Sequence, residues 1–263
     1  MDGGYFQSIL DPLEFFAAII AAAVHDIKHP GKSNNFLVKS RHRLAIRYSD
    51  SSVLERMHLA EAFFLTENPN FNIFSELSSE SYSQVRKAIV DMVLCTDLSV
   101  HLQLVGALKA SLLSKNREEV TGNPIMLMKV VIKCADIGHS SKAVKLHAKW
   151  TTLIIEEFFL QGDEEASLGM EISPFMNRSN ENTAKNQIGF FDFIVLPFFD
   201  VVGQLVFSHS FQPIVNRVRE NYELWRKAEK MGLTNVNDIV TQVLEPAIED
   251  EARELTSNIK SSH

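Results

Sequence analysis

Residues 11–26 read Asp-Pro-Leu-Glu-Phe-Phe-Ala-Ala-Ile-Ile-Ala-Ala-Ala-Val-His-Asp, and this stretch limits the fold more than any other. Asp11 offers an N-cap acceptor, Pro12 suits the first helical position, and Glu14 adds negative charge to the first turn. The run from Leu13 to about Asp26 is therefore predicted as a helix. It is apolar all round, which predicts a buried core helix enclosed by others. It is too short to cross a bilayer, and Glu14 interrupts it. His25 and Asp26 stand at its end, followed by His29 and the helix-breaking Pro30-Gly31. A ring nitrogen and a carboxylate at one point of the backbone, with a second ring four residues on, are the ingredients of a metal site.

Helical periodicity continues through the rest of the chain. Val53 to Glu67, Ser79 to Thr96, Ile125 to Asp136, Ser140 to Gln161, Asn182 to Phe207, Pro213 to Lys230 and Val236 to Lys260 all read as helices. Asn123-Pro124 marks a start, Gly138 a C-cap, Gly162 an end, and Pro197 a kink. No convincing period-2 strand, repeat or Gly/Ser/Pro-rich linker interrupts the pattern. The expectation is an all-α fold of on the order of ten helices in one compact domain, residues 1–263, with a frayed tail over about 250–263.

The formal net charge of −7 argues against binding to nucleic acid or an anionic membrane, since both require clustered Lys and Arg. It still permits a small anionic substrate if metal ions supply the positive charge. Cys95 and Cys134 are far apart and lack zinc-type spacing. Together with an N-terminus that lacks a basic leader pattern, they predict a reduced, cytoplasmic protein without a membrane span.

Several apolar helices end in short polar clusters: His25-Asp26, Cys95-Thr96-Asp97 and Cys134-Ala135-Asp136. An isolated buried carboxylate needs a partner charge or an ion. A single Asp at a helix end can equally be solvated. Three of them beside His25 and His29 favour a shared polar centre, to which Glu55 adds another carboxylate in an apolar context. His with two Asp suits zinc; a neighbouring ion held by one carboxylate and waters suits magnesium.

The motifs H-D-x-x-H-P-G-x-x-N (His25 to Asn34), S-V-L-E (Ser52 to Glu55), T-D (Thr96-Asp97), A-D (Ala135-Asp136), G-M-E-I-S-P (Gly169 to Pro174) and Q-x-G-F (Gln187 to Phe190) follow in order. This ordered series, from about Leu13 to Trp225, closely resembles the catalytic domain of class I 3',5'-cyclic nucleotide phosphodiesterases. The resemblance implies an all-α hydrolase that converts cAMP, cGMP or both to nucleoside 5'-monophosphates. It implies two divalent ions, zinc and magnesium, with manganese as an alternative. His25, Asp26 and Asp136 match zinc ligands, with Asp26 also bridging to the second ion. His29, Glu55 and Thr96 match residues that bond the waters of the second ion. Such an ion pair neutralises the phosphate and lowers the pKa of the attacking water.

The resemblance also places Gln187 against the purine edge, with Phe190 stacking on the ring and Ile154 on the opposite side. Gln187 and Phe190 are three residues apart on a predicted helix and share a face. Read without the resemblance, Phe190 is core and Gln187 a surface amide. His139 stands at a nucleotide-pocket position that is often Asn, where a His can still donate, and Asn34 joins the substrate-binding set. Lys28 replaces the usual Asp in the metal-binding turn. The family's upstream H-N-x-x-H segment, which carries a general-acid His and a further zinc ligand, has no counterpart in this sequence. The competing expectation is therefore a catalytically impaired homologue or fragment that binds nucleotide or a regulatory partner. His42, His101, His147 and His209 read as ordinary surface or core histidines.

Overall fold

The computed structural model describes residues 10–114, 122–205 and 211–261, and side chains to residue 253. Among the described residues there is no strand. The helices divide between two compact units, residues 1–136 with 201–210, and residues 137–200 with 211–263.

The first unit begins with α1 (Pro12–Val24), closed by the expected capping box: Glu14 N donates to Asp11 Oδ1 at 2.8 Å, and Asp11 N donates to Glu14 Oε2 at 2.9 Å. Two short helices follow, α2 (Asn34–Lys39) and α3 (Arg43–Arg47), then α4 (Val53–Leu65), α5 (Ser79–Leu94), α6 (His101–Leu113) and α7 (Pro124–Asp136). Asn123 caps α7 through Oδ1, which accepts from Met126 N. Helices α1, α5 and α7 pack on one another. Ala17 and Ala21 of α1 have no exposure and let the helix approach Val85, Ile89 and Met92 of α5 and Met128 and Ile132 of α7. Full burial of such aliphatic side chains is worth about 1.5–3 kcal/mol each. The expectation of a helix buried all round is corrected here, because Phe15 and Ile19 are 46% and 52% exposed. They lie four residues apart, on a stripe away from the two alanines.

The second unit is built on α8 (Val144–Ser167) and α9 (Thr183–Phe190), which passes through a π turn (Phe191–Val195) into α10 (Leu196–Leu205), whose residues from Val201 on belong to the first unit. Pro197 has no N–H for the carbonyl four residues back, and the wider turn lies just ahead of it. The run Thr183–Leu205 is 23 residues long and apolar enough, by length and composition, to cross a membrane. Phe191, Val195, Phe198 and Phe199 within it are buried in the chain, as in a core helix. Then come α11 (Gln212–Lys230), α12 (Val236–Ile239), a second π turn (Val240–Leu244) and α13 (Glu245–Ser261). Phe207 and His209, named above, lie outside the described residues.

Two glycine expectations are corrected. Gly138 is not left-handed; it opens a 3-10 turn, Gly138–Ser141. Gly162 does not end α8. The helix runs through it to Ser167, and the stop is Gly169 at φ +67, with Gly169 N bonded to Ala166 O at 3.0 Å and Met170 N to Glu165 O at 2.9 Å. That pair of bonds is a Schellman cap. Gly162 serves packing instead: a Cβ there would lie 1.8 Å from the Met176 carbonyl oxygen.

A candidate metal centre and a buried amide cluster

In the first unit, α1 stops where the sequence turns polar, and its C-cap residue His25 bonds Ala22 O through Nδ1 at 2.9 Å. This fixes the ring and turns Nε2 outward. Nε2 is 3.3 Å from Asp26 Oδ2 and 3.9 Å from Asp136 Oδ1, Asp136 being the last residue of α7. One ligand atom from each of the three lies within 4.8 Å of the others. One ring nitrogen and two carboxylate oxygens, with the second ring nitrogen held by a backbone carbonyl, fit a divalent cation such as zinc.

The electrostatics follow from that crowding. The bond to Asp26 draws His25 up to about 9 despite burial. His25 in turn lowers the Asp26 carboxyl below its ordinary value. Burial raises Asp136, opposed by Lys133 and His25.

A second ring of residues surrounds the three. Asn34 donates Nδ2 to Glu55 Oε2 at 2.9 Å and accepts from Leu54 N through Oδ1 at 2.8 Å, so both ends of its amide are used within the protein. Burial raises Glu55 above the usual carboxylate range, while Asn34 opposes the shift. Ser52, left-handed at φ 43 and without a side-chain cap bond of its own, donates to Asp97 Oδ2 at 2.8 Å. Thr96 donates its hydroxyl proton to Val93 O at 2.7 Å, which leaves its oxygen as an acceptor. His29 Nδ1 accepts from Gly31 N, so Nε2 carries the proton. Its ring stacks on His58 at 5.6 Å. Lys28 points away into an ion pair with Glu61.

Two members of this ring escaped sequence reasoning. His58 is 1% exposed, bonds Ile27 O through Nδ1 at 2.7 Å, and brings Nε2 to 3.7 Å from Asp26 Oδ1. Lys133 is fully buried and reaches both Thr96 O and Asp136. His58 lies one turn beyond Glu55 in α4, a spacing that could have marked it; Lys133 sits three before Asp136, and a Lys among the apolar residues of α7, which also carries Lys129, was the only signal.

In the second unit Gln187 is buried, against the plain sequence reading of a surface amide, and its Oε1 has no hydrogen-bond partner. Phe190, one turn on in α9, is half-buried and lies parallel to His139, ring centres 6.0 Å apart. His139 and His147 are joined Nδ1 to Nδ1 at 3.2 Å, and Trp225 Nε1 donates to His147 Nε2 at 2.8 Å. Indole is only a donor, so the sequence of bonds fixes both tautomers. His147 accepts at Nε2 and donates from Nδ1. His139 accepts at Nδ1 and is left with a donor at Nε2. Burial lowers His139 to about 4 and His147 to about 3, which keeps both neutral. Asn221 of α11 donates to Ser140 O and Lys142 O, each at 2.9 Å, and so holds the turn that carries His139. Ile154, half-buried on α8, packs with Ile155, Phe159 and Val236.

The helices and the His/Asp cluster define an all-α protein whose candidate ion ligands, His25, Asp26 and Asp136, sit at helix ends. The 3'5'-cyclic nucleotide phosphodiesterase family profile matches residues 1–218, and the chain belongs to that family. It is similar to the 3',5'-cyclic-AMP phosphodiesterase, isoform F, of Drosophila melanogaster: 37% identical over 230 residues, which are 84% of this chain and 34% of the relative. Its similarity to the "Probable 3',5'-cyclic-AMP phosphodiesterase pde-4" of Caenorhabditis elegans is 39% over 228 residues, 83% of this chain and 33% of the relative. The chain thus spans about a third of the length of these curated relatives.

Proposed function

We propose that this chain hydrolyses cAMP to 5'-AMP with the aid of two divalent ions, zinc and magnesium. The observation that carries the reading is the convergence of His25 Nε2, Asp26 and Asp136 on one point, within the fold of this family. The names of the two relatives support cAMP as the nucleotide. Two free cysteines support a reduced, cytoplasmic setting.

His25, Asp26 and Asp136 would hold the first ion, and Asp26 is the ligand we assign to both. When bound, the ions supply charge neutralisation of the phosphate and a more acidic water. The reaction adds water across the P–O3' bond: a new P–O bond forms, and the 3'-oxygen leaves with a proton. The chain's own groups act on that water and on the nucleotide. Thr96 offers lone pairs only, Asn34 holds Glu55, and His29 presents an Nε2 proton. Gln187, with an unpartnered carbonyl oxygen, takes the exocyclic amine of the base, while Phe190 and Ile154 take its faces and His139 donates from Nε2.

The reading is tested by incubating the full chain with cAMP, zinc and magnesium in ¹⁸O water and following the phosphorus by NMR. The expected result is 5'-AMP carrying one ¹⁸O on phosphorus. Nucleotide binding without turnover, with both ions bound, would assign the chain a binding role instead.

A further inference from the structure

Lys133 lies one helical turn before Asp136 in α7, and it is the fully buried lysine or arginine among the described residues. A buried ammonium is costly unless it is paired and hydrogen-bonded. Here Nζ donates to the Thr96 carbonyl at 2.6 Å and stands 3.5 Å from Asp136 Oδ2. The other oxygen of Asp136, Oδ1, is the one turned toward His25. The carboxylate is therefore divided, one oxygen facing a fixed cation and one facing the candidate ion position. Around it, Asp136 and Glu55 each feel Asp26, and Glu55 also feels Asp97. Lys133 is the buried positive charge set into this carboxylate group.

We propose that Lys133 is a built-in counter-ion of the metal centre. Its charge, set beside Asp136 Oδ2, weakens the pull of the carboxylates on a bound cation. The inference rests on the reading of His25, Asp26 and Asp136 as ion ligands. It has a consequence that a purely structural role does not share. Loss of a structural prop would loosen Asp136 and weaken ion binding. Loss of a counter-ion leaves the pocket more negative, so cations bind more tightly, while the ion-free protein loses stability through carboxylate repulsion.

The test is zinc affinity of the full chain, by competition with a chelator, for wild type, Lys133→Met, Lys133→Gln and Lys133→Arg. Gln drops the charge but keeps a donor for the Thr96 carbonyl, so it carries the comparison if the Met variant does not fold. A unit charge a few ångströms away predicts zinc binding roughly tenfold or more tighter in Met and Gln, and within roughly threefold of wild type in Arg. The melting-temperature gap between zinc and chelator should widen in Met and Gln. Unchanged or weaker affinity in folded Lys133→Gln overturns the counter-ion role while leaving the ion site intact. Failure of wild type to bind zinc overturns the ion site itself.

Discussion

Asn34 holds Glu55: its Nδ2 donates to Oε2 at 2.9 Å while its Oδ1 caps α4 by accepting from Leu54 N. One amide thus starts a helix and aims a carboxylate of that helix's first turn. The two jobs separate by mutation. Asn34→Asp keeps an acceptor for Leu54 N but sets a second carboxylate against Glu55. Asn34→Ala removes both contacts and should cost about 1–2 kcal/mol in urea denaturation. Both variants should lose roughly ten- to a hundredfold in the proposed cAMP turnover, as for a residue that orients a group bonded to the waters of the proposed second ion. Full activity in folded Asn34→Ala would show that Glu55 needs no holding.

Gly162 and Gly106 make a matched pair. Both are interior helix positions, in α8 and α6, and Ala is favoured over Gly in such places by up to about 1 kcal/mol. At Gly106 nothing lies within 4 Å of an added Cβ, so Gly106→Ala should raise the melting temperature slightly. At Gly162 the new Cβ meets the Met176 carbonyl at 1.8 Å, a backbone atom without freedom to turn aside. Gly162→Ala should cost about 1–3 kcal/mol, as overpacking does. Equal melting temperatures for the two variants would refute the close approach.

These positions show what the sequence could express and what it could not. The capping box at Asp11 and Glu14, the start at Asn123-Pro124 and the identity of His25, Asp26 and Asp136 as neighbours are local or motif-borne, and they were readable. Helices α2, α3 and α6 were not, because the first two last barely more than a turn and α6 lies between polar turns without a clear boundary signal. Gly162 looks in sequence like a helix stop; only its contact with Met176, fourteen residues away, explains it. Lys133 and His58 belong to the centre through contacts 37 and 31 residues distant in sequence, to Thr96 and Ile27. Periodicity carries no trace of such pairings. The burial of Gln187 was legible only through family resemblance, since an isolated amide on a helix ordinarily faces water.

His147 has no exposure, and its pKa falls to about 3 because burial disfavours the charged ring. In the unfolded chain the ring titrates near its ordinary value of 6.5. Above that pH both states are neutral and the residue adds no pH dependence. As pH falls below 6.5 the unfolded chain takes up a proton that the folded chain does not, and stability drops until about pH 3. Between pH 6.5 and 5 the loss from this group is about 2 kcal/mol. His147→Gln can still accept from Trp225 and does not titrate. Its stability, measured by urea denaturation at several pH values, should fall less steeply over that window. An unchanged slope would mean that His147 is protonated in the fold.

Glu165 is fully buried at the end of α8, where Oε2 accepts from Ser173 N at 2.6 Å and Oε1 from Ser173 Oγ at 2.7 Å and Gln161 Nε2 at 2.9 Å. The Gly169 to Pro174 motif is thereby explained physically: Gly169 turns the chain out of the helix, and Ser173 returns it to the carboxylate. Glu165→Gln is nearly isosteric, yet its amide NH₂ must face at least one of these donors. Bonds to a charged acceptor are worth about 1.5–3 kcal/mol each, so the substitution should cost about 2–4 kcal/mol. Glu165→Asp keeps the charge but is a methylene short and should lose part of that amount. Hydrogen exchange at the Ser173 amide reports the anchor directly, and it should accelerate strongly in Glu165→Gln while amides of α5 keep their protection. Uniform acceleration across both units would point to a general loss of stability and not to release of this loop.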